Sequence, residues 1–90
     1  MESIETKLRE FIAENLLFSN NGYPFPDDTS FLENGTVDSM SVMEIVLYTE
    51  QTFGIAISDD EIVPANFDSI HNLATYIREK LAPAQPGQID

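Results

Sequence analysis

Ser39 is the residue in this chain whose surroundings best suit covalent chemistry. It follows Asp38, precedes Met40, and stands where a long helical apolar period begins after Gly35-Thr36-Val37. A phosphate ester on its hydroxyl would lie near the positive end of that helix, where free N–H groups can meet it. Serine is also a commonplace helix-starting residue. By local chemistry alone both readings stay open, and the plain helix start is the commoner. A nucleophilic role is disfavoured. His71 is the only histidine that could serve as general base, it falls on the polar side of a helix without an orienting partner, and no nucleophile-elbow pattern surrounds Ser39. The chain has no cysteine, so any thiol chemistry has to arrive on a cofactor. A calcium loop fails as well: with Gly35 at its sixth position, Ser30 would be the first ligand and Ser41 the twelfth, where an acid is required. No metal site is expected.

The helix that presents Ser39 spans Ser39 to Phe53, with Asp38 as its N-cap and Gly54 as its stop. At 100° per residue, Val42, Ile45, Val46, Thr49 and Phe53 form the stripe that faces the core. The opposite face carries Met40, Met43 and Leu47 beside Glu44 and Gln51. Apolar groups ringed by acids suit a docking surface, with apolar anchors and charge for steering, and methionine adapts to several partners. The competing reading is that Met40 and Leu47 pack beneath a long loop.

Three other segments support this helix. Ser3 to Phe18 sets Ile4, Leu8, Phe11 and Ile12 at helical spacing, and Asn20, Asn21, Gly22, Pro24 and Pro26 then form a loop. One short turn carries Phe31 and Leu32, capped from within Asp27 to Ser30 and closed by a left-handed Gly35. Ser58 or Asp59 caps a turn through Ile62 that Pro64 interrupts. Asp68 or Ser69 opens the last helix, whose stripe is Ile70, Leu73, Ala74, Ile77 and Leu81. No segment alternates as a strand does. The expected fold is all-α, a small four-helix bundle of three main helices plus one short one, with a long loop between the first two main helices. One domain over residues 1–81 and a flexible tail over 82–90 complete the expectation.

The chain's 90 residues are 42% hydrophobic, enough for one modest core. Its net charge is −12, and no Lys or Arg occurs between Glu10 and Ile77. Twelve of the sixteen acids fall in that stretch. Nucleic acid and anionic membrane are therefore poor partners, and cationic protein surfaces are good ones. Without a signal segment or a membrane-length apolar run, a cytoplasmic monomer is expected.

The segment Gly35-Thr36-Val37-Asp38-Ser39-Met40, followed by Val42, Glu44, Ile45, Val46, Glu50, Phe53, Gly54 and Ile55, resembles the acyl carrier protein family. The likeness continues through Thr29–Leu32, Ile57–Ile62 and Phe67–Ile77. It implies a non-catalytic carrier whose Ser39 receives 4′-phosphopantetheine from a Mg²⁺-dependent transferase. Asp38 and Met40 would flank the attachment point, with Asp38 recognised by the transferase. Met40, Met43, Glu44, Leu47 and Glu50 would form the docking helix for loading and downstream enzymes with basic patches. Ser41 and Gln51 stand where fatty-acid carriers usually have acids, and Thr49 replaces a usual core leucine. These departures imply a dedicated pathway carrier, with an aminoacyl or D-alanyl carrier working beside an adenylating enzyme as the alternative.

Overall fold

The structure, a computed structural model, describes residues 3–82. Its elements in chain order are α1 (Ile4–Asn15), α2 (Phe31–Asn34), α3 (Ser39–Phe53), a 3-10 turn (Asp59–Glu61), α4 (Pro64–Phe67) and α5 (Ile70–Leu81). The all-α bundle of three long helices is as expected, and no strand occurs among the described residues. Two one-turn helices accompany the long ones, where a single short helix was anticipated. The tail expected over 82–90 lies, from residue 83 onward, outside the described residues.

Local chemistry starts and stops most of these elements. Ser3, Ser30 and Ser69 each accept a hydrogen bond from the amide three residues on, so α1, α2 and α5 open with a satisfied cap. Gly35 (φ +80°) and Gly54 (φ +70°) end α2 and α3 in the left-handed conformation, which only glycine adopts at no steric cost. Two boundaries differ from expectation. α1 stops at Asn15, short of Phe18. The amides of Leu17 and Ser19 instead close wide turns onto Ile12 and Ala13, with Phe18 left-handed between them. Pro64 does not interrupt a helix but starts α4, since its missing N–H is no loss at a first helical position.

Packing sets the direction of the long helices. Arg78 at the end of α5 pairs with Glu5 at the start of α1, so the two run antiparallel. Tyr48, late in α3, donates to the carbonyl of Lys7 and stacks on Phe11, with ring centroids 4.1 Å apart. α1 therefore also opposes α3, and α3 and α5 point the same way. Between them lie Leu8, Ile12, Phe31, Ile45, Val46, Phe67, Ile70, Leu73 and Ile77, all buried. The α3 stripe is only partly as expected. Ile45, Val46 and Thr49 are buried, whereas Val42 and Phe53 are half-buried at its ends. In α5, Leu81 is exposed and Tyr76 takes a buried place instead, because its hydroxyl reaches Glu61 at 2.8 Å.

Candidate functional site

α3 places the residues singled out in the sequence. Ser39 is its first residue, and Asp38 is its N-cap in extended conformation. Asp38 Oδ1 accepts hydrogen bonds from the amides of Met40 (3.1 Å) and Ser41 (2.8 Å). The bond from the Ser41 amide leads the causes that hold the Asp38 carboxyl below the usual carboxylate range. This changes one expectation. Two of the helix-start amides are already claimed by Asp38, so a phosphate on residue 39 cannot rely on them. The helix dipole remains.

The apolar face beside Ser39 is open. Met40 is 80%, Met43 49% and Leu47 54% exposed, and Glu44 lies among them, also exposed. None of them is covered by the long loop. Glu50 differs from the others: it is half-buried, and its Oε2 accepts the amide of Ile57 at 2.9 Å. Its charge anchors the segment after α3 as well as facing outward. Gln51, on the same outward face, is exposed. His71 is exposed on α5, and its backbone amide caps the carbonyl of Asp27.

A cavity of about 310 Å³ opens beside this face. Val42 and Met43, one turn after Ser39, form its α3 side. Phe31, Leu32, Val37, Ile62, Val63, Pro64 and Phe67 supply the rest of an apolar lining. The polar exception is Asp68. Its carboxylate is committed to α2, accepting from Ser30 Oγ (2.5 Å) and the Leu32 amide (3.0 Å), while its carbonyl accepts from the Phe31 amide. Asp68 thus holds α2 against the α4–α5 corner and shapes the cavity. The sequence reading did not foresee this cavity. Its signals were Leu32 and Val63, apolar residues outside every core stripe that remain exposed at the cavity's edge.

These features fit a long, flexible prosthetic arm. Ser39, the expected attachment residue, opens the helix, no side chain of the described residues covers the adjoining apolar face, and an apolar cavity lies one turn away. The chain's lack of cysteine fits a thiol supplied by such an arm. Among the described residues no three His, Cys, Asp or Glu side chains gather as a metal-binding group. No helix among them is long and apolar enough to cross a membrane.

Comparison with known proteins gives the same direction. The family described as phosphopantetheine attachment site matches residues 6–77. An acyl carrier protein of Acidothermus cellulolyticus is 35% identical over 79 residues, covering 84% of this chain and 86% of the relative. Acyl carrier proteins of Rickettsia canadensis and Rickettsia massiliae are each 29% identical over 79 residues, covering 88% of this chain and 87% of each relative. The cofactor is therefore phosphopantetheine, and the role is that of a carrier and not a catalyst. With a matched family spanning all three long helices, this chain belongs to the phosphopantetheine-binding acyl carrier protein family.

Proposed function

We propose that this protein carries acyl intermediates as thioesters on a 4′-phosphopantetheine arm attached to Ser39, and that it serves a dedicated biosynthetic pathway in the cytoplasm. The observation that carries this reading is the position of Ser39, first in α3 and directly after its Asp38 cap, within the matched attachment domain. When attached, the arm supplies the thiol that the chain lacks. Asp38 fixes the start of the helix and offers a partner one charge beside the attachment point. Met40, Met43 and Leu47 are the apolar anchors of docking, and Glu44 supplies steering charge. Glu50 contributes less to docking, since part of its carboxylate is turned inward onto Ile57.

The apolar cavity favours acyl over aminoacyl cargo. An α-ammonium entering it would lose hydration, and the one carboxylate at its lining already accepts two hydrogen bonds. The weakly acidic outward face, with Ser41 and Gln51 in place of acids, supports a pathway-specific partner set.

The test is intact-protein mass spectrometry of the apo-protein with a phosphopantetheinyl transferase, coenzyme A and Mg²⁺. One phosphopantetheine should be gained by the wild type and none by Ser39→Ala, with the variant's circular dichroism unchanged. Modification of Ser39→Ala would remove the assignment of the site.

A further inference from the structure

The chain contains two Asn-Gly pairs, Asn21–Gly22 and Asn34–Gly35. Such a pair is chemically labile, because glycine has no side chain to hinder its own amide nitrogen from attacking the asparagine carboxamide. The fold treats the two pairs in opposite ways. Asn34 ends α2, and the Gly35 amide donates to the Phe31 carbonyl at 2.9 Å. Thr36 Oγ1 donates to the carboxamide oxygen of Asn34, so both reacting groups are occupied. Asn21 and Gly22 instead stand exposed in the loop between α1 and α2. The hydrogen bonds of this turn come from Ser19, whose Oγ accepts from the Asn21 amide at 3.2 Å and donates to the Gly22 carbonyl at 3.1 Å. Among the described residues, none is made by the Gly22 amide or by the Asn21 carboxamide. A side chain added at Gly22 would meet nothing within 4 Å, so the turn has room to rearrange.

We propose that Asn21 is a self-modifying site, which converts to isoaspartate and aspartate in the folded protein while the fold protects Asn34. The Gly22 amide nitrogen attacks Cγ of Asn21. A bond forms between them, the Cγ–Nδ2 bond breaks, and Nδ2 leaves as ammonia with the proton that the Gly22 amide gives up. Water then opens the cyclic imide. Opening at Cγ restores the ordinary backbone with an aspartate side chain. Opening at the main-chain carbonyl of Asn21 routes the backbone through Cγ and gives isoaspartate. Either product adds one carboxylate to a chain whose net charge is −12. The longer isoaspartate backbone is tolerated here because the turn is anchored on both sides. The Ser19 amide donates to the Ala13 carbonyl at 2.7 Å, and the Tyr23 ring lies edge-on to Phe25 and Phe31. The added methylene falls in the exposed tip between these anchors, where insertions are best accepted. At Asn34 the same change would undo the end of α2, which seats the buried Phe31.

The test ages the purified chain at mildly alkaline pH, where the attacking nitrogen gives up its proton more readily, and follows each Asn-Gly peptide by mass spectrometry. Isoaspartate is counted separately, by methyl transfer from S-adenosylmethionine with an isoaspartyl carboxyl methyltransferase. In the folded protein Asn21 should convert roughly tenfold or more faster than Asn34, since reaction at Asn34 requires α2 to open first. In denaturant the two rates should converge, because the same dipeptide chemistry then acts without the fold. Asn21→Gln, whose longer side chain disfavours ring closure, should remove the isoaspartate signal from the loop peptide. An Asn21 that stays intact in the folded protein, or folded-state rates that are equal at the two sites, overturns the inference. So does a rate gap that persists in denaturant, which would assign the selectivity to the flanking sequence, or a loop signal that survives Asn21→Gln.

Discussion

Arg78 grips Glu5 with both guanidinium branches, at 2.8 and 2.6 Å, and this holds the Glu5 carboxyl down to about 2 from its ordinary 4.5. A depressed folded-state value means that the pair's contribution is fully present above the unfolded carboxyl range. It is lost as pH falls from about 4.5 to about 2. Arg78 is 51% exposed, so screening limits the pair to about 0.2–1 kcal/mol. Glu5→Gln should therefore cost that amount at neutral pH, with the gap closing in acid; denaturant titrations across pH measure it. A gap that persists at the acid end would assign the effect to packing instead. Thr49 gives the opposite sign. In the unloaded protein Thr49→Val removes an unpaired buried hydroxyl at constant shape, and the denaturation midpoint should rise by about 1 kcal/mol of stability.

α3 has two faces with separate jobs, and substitutions should divide accordingly. On the outward face, Glu44→Lys should slow association with a partner enzyme, and added salt should erase the effect as the Debye length falls to about 10 Å at 0.1 M. Truncating Met43 or Leu47 to Ala should leave association nearly unchanged and speed dissociation. Surface plasmon resonance at two salt concentrations reads both, and unchanged rates in all three variants would move docking off α3. Glu50 is a poorer probe, because reversing it also frees the Ile57 amide. The inward face can be ranked by burial. Phe31→Ala should cost about 3–5 kcal/mol, as a fully buried ring does. Phe53, half-buried with Lys7 over its ring at 5.8 Å, should cost less, about 2 kcal/mol. Equal costs would place Phe53 deeper than its position at the end of α3.

The whole molecule is electrically lopsided. Lys7 and Arg9 lie in the first half of α1, and Arg78 and Lys80 lie in the last turn of α5. Because α1 opposes the other two long helices, Lys7, Arg78 and Lys80 gather in the half of the bundle away from Ser39, whereas Arg9 reaches Asp27, whose carbonyl accepts from the His71 amide in the first turn of α5. Three of the four are ion-paired: Arg9 with Asp27, Arg78 with Glu5 and Lys80 with Glu61. Self-repulsion among the acids should make the melting temperature rise with NaCl. No three His, Cys, Asp or Glu side chains among the described residues gather to hold an ion. Mg²⁺ should act through ionic strength alone, and matched NaCl and MgCl₂ melting series decide the matter.

What the amino-acid order alone determined was local in its physics. The bounds of α3 follow from a carboxylate that caps the amides two and three residues on and from a glycine free to turn left-handed, interactions that need no other part of the chain. The outward exposure of Met40, Met43 and Leu47 follows from a 3.6-residue period for the same reason. Tertiary packing decided the rest. Asp68 was legible as a helix starter, yet it serves as a clamp on Ser30 and Leu32, more than thirty residues away in sequence. Glu50 was legible as a surface acid, yet half its role is to hold Ile57. The cavity exists only because that clamp sets α2 against α4, and the unpaired state of Thr49 only because α3 turns it into the core. Each of these depends on which distant segment arrives opposite, and a periodic pattern carries the direction a side chain faces without naming what it will meet.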